Sequence, residues 1–98
     1  VVDVQNRGAV AELAAEGVVE IPCRVDASGA TPLPQRPLEP LIRGLIQHVK
    51  AYEELTVAAA RKRDRPSALL ALAAHPLIPS VATAARVIDE LAGELGLA

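Results

Sequence analysis

The chain contains no methionine, tryptophan or phenylalanine, a single tyrosine (Tyr52) and a single cysteine (Cys23). With one ring in the whole sequence, apolar packing has to come from Ala, Leu, Val and Ile, so helices packed through small side chains are expected. One cysteine cannot form an intrachain disulfide, and nothing like a secretory leader precedes the first patterned residues, so the expected compartment is a reducing cytoplasm. The missing methionine leaves no start residue, and Val1-Val2-Asp3-Val4 reads as a strand already under way; the expectation is a chain that continues a larger polypeptide. Wholly apolar stretches such as Leu69 to Ala74 fall far short of the roughly 20 residues a spanning helix needs, so no membrane partner is expected. A net charge of -2 and a pI near 5.6 supply no field that would gather nucleic acid.

What is present falls into two halves, within the 98 residues expected of one small domain. Val2 and Val4 alternate with Asp3 and Gln5 up to a turn at Asn6-Arg7-Gly8. The apolar run Val18 to Val25 is β-branched and carries Pro22, which suits an edge strand. Asp26-Ala27-Ser28-Gly29 then has turn chemistry before an extended piece from Ala30 to Leu33, and a hairpin is predicted between the two. Pro32, Pro34, Pro37 and Pro40 make an extended connector.

Beyond it, Leu38, Leu41, Ile42, Leu45, Val49, Tyr52, Leu55 and Thr56 recur at three- and four-residue intervals, which predicts a helix over Leu38 to Lys62 with Pro40 in its first turn. Gly44 within that stripe costs about 1 kcal/mol relative to Ala, and a close approach of another helix or backbone is the expected reason. Asp64 is placed to cap a second helix that ends at His75-Pro76, giving a helical hairpin. Ser80 is placed to cap a third, whose Val81, Ala84, Ala85, Ile88, Leu91 and Leu95 share a face, with Gly96 as terminator. The expected fold class is α+β: short antiparallel strands and a connector over residues 1–36, then about three α-helices over 37–98.

No chemistry announces itself in these residues. Cys23, His48 and His75 lack any short metal-ligand spacing; Cys23 reads as a small buried apolar residue and His75 as part of a helix end. Arg61-Lys62-Arg63-Asp64-Arg65 lies at a helix C-terminus, where cations complement the helix dipole. Glu53, Glu54, Asp89, Glu90 and Glu94 fall on polar helix sides, and Glu20 on the polar face of its strand. Tyr52 on the apolar stripe reads as a core ring with its hydroxyl at the rim. There is no G-x-G-x-x-G, G-x-S-x-G or G-x-x-x-x-G-K. No catalytic, cofactor-binding or metal-binding residue is therefore assigned.

In order, Val2-Asp3-Val4-Gln5-Asn6-Arg7-Gly8, Val18-Val19-Glu20-Ile21-Pro22-Cys23, Gly29 and Pro32-Leu33 resemble the C-terminal segment of the NAD- and metal-dependent glycoside hydrolases of family four. Lys50-Ala51-Tyr52-Glu53, Leu55-Thr56-Val57, Ala59-Ala60, Ala71-Leu72 and His75-Pro76-Leu77-Ile78-Pro79-Ser80 resemble its 6-phospho-β-glucosidase branch in particular. The sequence departs from the family at Gln5 and Ala14, where proline is frequent, and at Ala58, where glutamate is common; these departures leave the sugar configuration open.

The resemblance implies that residues 1–98 are the C-terminal part of a substrate domain that follows a Rossmann-type domain. It implies an enzyme in which NAD takes hydride from the sugar's C3 and a divalent metal, commonly manganese, stabilises the enolate. A tyrosine-type base then removes the C2 proton, the aglycone leaves C1, and water addition and hydride return complete the cycle. The glycine-rich loop, the metal ligands and the base of that family all belong to segments upstream, so the partner expected first is the N-terminal catalytic part of the same polypeptide. The chain alone is expected to be inert and to self-associate as a homo-oligomer. Asn6 and Arg7 are the candidate edge of a sugar pocket, set against a plain reading as a tight turn. The alternative function is a free-standing helical interaction or oligomerisation module.

Overall fold

The structure is a computed structural model that describes residues 1–97. Its order is β1 (Val2–Gln5), β2 (Val18–Ile21), β3 (Cys23–Asp26), β4 (Gly29–Pro32), α1 (Pro40–Lys62), α2 (Arg65–Ala73) and α3 (Val81–Leu95). The α+β class holds: two antiparallel two-stranded sheets, β1-β2 and β3-β4, come before three helices. The chain divides into two compact units, Val1–Gln47 and His48–Ala98.

In the first unit, β1 and β2 pair in the register Val4 opposite Val19 and Val2 opposite Ile21. Val19 and Ile21 point inward, and with Val10 they form a small core against which Val4, Leu13, Cys23 and Leu38 pack. The predicted single edge strand from Val18 to Val25 is instead two strands broken at Pro22. Proline has no N–H to give a ladder, so pairing changes partner at that residue. β3 then runs back along β4 as the predicted hairpin, Asp26 opposite Gly29. Ser28 donates to Asp26 Oδ1 from both its amide (2.8 Å) and its hydroxyl (2.5 Å). Those two bonds, the hydroxyl first, hold the Asp26 carboxyl below the usual carboxylate range.

The proline connector is extended but not loose. Leu33 N–H donates to Pro22 O at 3.2 Å and Gln35 N–H to Ala9 O at 2.8 Å, while Leu38 N–H reaches the Glu12 carboxylate at 3.2 Å. Leu38 therefore precedes the helix, which begins at Pro40 as the preference of proline for the first turn requires.

In the second unit, the tightest helix pairing is α2 on α3, rather than a hairpin across the α1–α2 link. Asp64 caps α2 by accepting from Ser67 N–H, and Ser80 caps α3 by accepting from Thr83 N–H. Gly96 ends α3 in the left-handed conformation, φ 65°. The apolar residues buried here are Ala59, Ala71, Ala84 and Ile88, the small-residue packing that the lack of rings demanded. Two expectations fail. Gly44 has nothing within 4 Å of where a Cβ would stand, so no close approach among the described residues accounts for it. Leu41, Ile42 and Leu45, the start of the predicted stripe on α1, are exposed, Leu41 to 89%.

Candidate functional site

The loop from Asn6 to Gly17 is the most highly organised non-helical segment, and Asn6 is its hub. The Asn6 side chain is completely buried. Its Nδ2 donates towards Val10 O (2.9 Å), Leu13 O (3.1 Å) and Ala14 O (3.1 Å), and its Oδ1 accepts from Val10 N–H at 2.7 Å. The backbone adds Asn6 N–H to Gly17 O at 2.7 Å and Arg7 N–H to Ala15 O at 2.8 Å. A carboxamide offers two donor hydrogens and an acceptor oxygen with two lone pairs; both hydrogens and one lone pair are taken up within the loop and the side chain is fully buried, so Asn6 is spent on shaping the loop.

Arg7 differs. It holds φ 49° on the exposed tip beside Gly8 at φ 85°, and its Nε is 3.4 Å from Gln5 Oε1, a long and weak contact. Of the two residues singled out from sequence, Asn6 shapes the loop and Arg7 projects a guanidinium from it. Sequence reading missed Glu12, whose carboxylate receives the Leu38 amide and whose carbonyl receives Gln47 Nε2 at 3.1 Å. Nothing local marks it, because both partners are far along the chain.

The soft and imidazole groups are held by structural contacts. Cys23 is half-buried, with Sγ 3.4 Å from Ile21 O. His48 Nε2 lies 2.5 Å from Ala74 O and so carries the proton there, while His75 Nδ1 accepts Leu77 N–H at 3.0 Å. Tyr52 is half-buried, with its ring edge-on to that of His75 at 4.6 Å. Among the described residues no group of three His, Cys, Asp or Glu side chains could hold a metal ion. That donor set does not fit a catalytic metal, and among the described residues no loop offers a glycine-rich cradle for a dinucleotide. Glu20 sits exposed on β2, opposite Asp3.

The second unit carries an open trough of about 630 Å³ whose wall includes Tyr52, Ala59, Ala71, Ile88 and Leu91, with Arg63 and Glu94 among its polar residues. Among the described residues no helix is long and apolar enough to cross a membrane.

These features define an α+β domain whose Asn6 loop and helix ends are held by structural hydrogen bonds. The chain belongs to the family 4 glycosyl hydrolase C-terminal domain family, whose model matches residues 1–78. It is 35% identical over 86 residues to the probable 6-phospho-β-glucosidase of Bacillus subtilis, covering 88% of this chain and 20% of that protein. The structure of the 6-phospho-β-glucosidase from Thermotoga maritima with manganese, NAD+ and glucose-6-phosphate superposes with a TM-score of 0.84 at 35% identity, over 94% of this chain and 23% of that one. A 6-phospho-α-glucosidase from gut microorganisms, in complex with NAD and glucose-6-phosphate, gives a TM-score of 0.86 at 32% identity, over 93% and 21%. The chain thus spans about a fifth of the length of the relatives it matches.

Proposed function

We propose that this chain is the C-terminal, non-catalytic domain of a cytoplasmic 6-phospho-β-glucosidase that cleaves 6-phospho-β-glucosides by NAD-dependent oxidation and elimination at the sugar, with a divalent metal, manganese by preference. The observation that carries the reading is the family match over residues 1–78, joined to relatives about five times as long whose solved structures hold NAD, manganese and glucose-6-phosphate. The β configuration is favoured by identity: 35 and 36% to β-glucosidases, against 24 to 32% for α-acting relatives. On this reading residues 1–98 form one functional part, strands and connector over 1–36 and helices over 37–98, that buttresses the N-terminal catalytic part of the same polypeptide and helps it assemble as a homo-oligomer. Arg7, on its Asn6-braced loop, stands at the edge of the sugar pocket.

Two measurements test this. The 98 residues supplied with an aryl 6-phospho-β-glucoside, NAD+, Mn2+ and reductant give no turnover; turnover would refute the assignment of the chemistry elsewhere. Reading the coding sequence upstream shows an open frame continuing through a G-x-G-x-x-G-type loop and a metal site. A start codon directly before Val1 would overturn the reading in favour of a free-standing interaction module.

A further inference from the structure

The bonds made by Asn6 fix the shape of the loop from Asn6 to Gly17, but bonds within a loop do not fix where it stands. Hydrogen bonds to the connector and to α1 do that. Gln35 N–H donates to Ala9 O at 2.8 Å, Leu38 N–H lies 3.3 and 3.2 Å from the two Glu12 carboxylate oxygens, and Gln47 Nε2 donates to Glu12 O at 3.1 Å. The partners of Glu12 stand 26 and 35 residues further along the chain, so this residue joins segments that local structure leaves independent. Its side chain is half-buried, and an amide held by an ionised carboxylate makes a stronger bond than one held by a neutral oxygen.

The same loop carries Arg7. The Arg7 N–H donates to Ala15 O at 2.8 Å, next to Ala14, whose carbonyl receives Asn6 Nδ2 at 3.1 Å. Arg7 at φ 49° and Gly8 at φ 85° both lie in the left-handed region, which an arginine adopts only at a cost. Such a conformation persists where the surrounding structure over-determines it. The guanidinium forms no ion pair among the described residues. Its place is therefore set by the loop beneath it, and the place of the loop by Glu12.

We propose that Glu12 is the positioning residue of Arg7: its carboxylate and its carbonyl lock the loop to the start of α1, so that the guanidinium is presented from one fixed place. This rests on the reading of Arg7 as the edge of the sugar pocket and names what holds that edge. A contact made equally with substrate and transition state lowers KM without raising kcat, and a displacement of about 1 Å is enough to lose it.

The test is steady-state kinetics of the longer polypeptide that carries this domain, on an aryl 6-phospho-β-glucoside with NAD+, Mn2+ and reductant, with circular dichroism confirming that each variant folds. Arg7→Gly raises KM. Glu12→Ala raises it by about threefold or more while kcat stays within about twofold, and Glu12→Gln, whose amide oxygen still accepts the Leu38 N–H, keeps KM near that of the unaltered protein. In the Arg7→Gly background Glu12→Ala adds nothing further, because the group it positions is gone. A KM indifferent to Glu12→Ala, beside an Arg7→Gly variant that raises it, overturns the positioning role alone. So does a Glu12→Ala effect as large without Arg7 as with it, since Glu12 then acts on folding or on another group. An Arg7→Gly variant with an unchanged KM removes Arg7 from the pocket edge and overturns the inference with it, while turnover by the longer polypeptide still upholds the enzymatic reading.

Discussion

Asn6 concentrates more hydrogen bonding in one buried side chain than any other described residue, and its loss leaves the Val10 N–H and three carbonyl oxygens to find new partners. Unpaired buried groups cost about 1–3 kcal/mol each, reduced where water can enter. Asn6→Ala is therefore expected to destabilise the chain by about 2–4 kcal/mol, read as a lower midpoint in urea. Asn6→Asp is expected to do worse at neutral pH despite its matching shape, because it turns a carboxylate oxygen towards the carbonyls of Val10, Leu13 and Ala14. If Asn6→Ala proved neutral, the loop would not depend on its hub. Arg7 makes the opposite case: at φ 49° glycine fits the backbone better, while its freedom in the unfolded chain works against the gain. Arg7→Gly should change stability by less than about 1 kcal/mol, so a raised KM in the complete enzyme would report on the guanidinium and not on folding. The sequence marked Asn6-Arg7-Gly8 as a turn but could not separate these roles. The acceptors of Asn6 are backbone carbonyls, which every residue possesses and none advertises.

At the scale of elements, what was legible was chemistry confined to a few neighbouring residues. Asp64, Ser80 and Gly96 were each readable because a cap needs only its own helix. Ser80→Ala is expected to cost about 1 kcal/mol, checked by thermal unfolding. Asp64 adds a pH dependence with a definite sign. The amide of Ser67, the largest cause, and then its hydroxyl hold the Asp64 carboxyl below its usual range, so folding favours the ionised form. The cap is fully present above the unfolded-state value and is lost as pH falls through the lower folded-state value. Asp64→Asn keeps an acceptor for Ser67 but cannot titrate, so the acid limb of its stability-pH profile should be shallower than that of the unaltered chain. Identical acid limbs would mean that Asp64 contributes nothing through its charge. The break at Pro22 was half legible: proline announced an edge or a bulge, but whether the strand bends or changes partner depends on β4, which pairs with β3 from further along the chain.

At the scale of the molecule, the sequence pattern located apolar faces but not their covers. The stripe on α1 and the face on α3 are real periodicities, yet Leu41 is 89% and Val81 63% exposed, because periodicity records that a face is meant for burial and says nothing about whether the burying surface lies in the same stretch of chain. The same reasoning bears on the cofactors. A ligand present at a hundred times its dissociation constant stabilises the folded state by about 2.7 kcal/mol, and in a domain of this size each kcal/mol moves the unfolding midpoint by about 4–8 °C. Even a modest NAD+ or Mn2+ site within these residues would therefore shift thermal unfolding by about 10 °C or more at saturating ligand. Cys23, His48 and His75 are committed to structural contacts, and no metal-holding cluster exists among the described residues. Neither ligand, alone or together, is expected to move the midpoint of this chain beyond experimental scatter. On the proposed reading, the longer polypeptide that carries this domain should be stabilised by both. A large shift in the isolated chain would relocate a binding site into these residues.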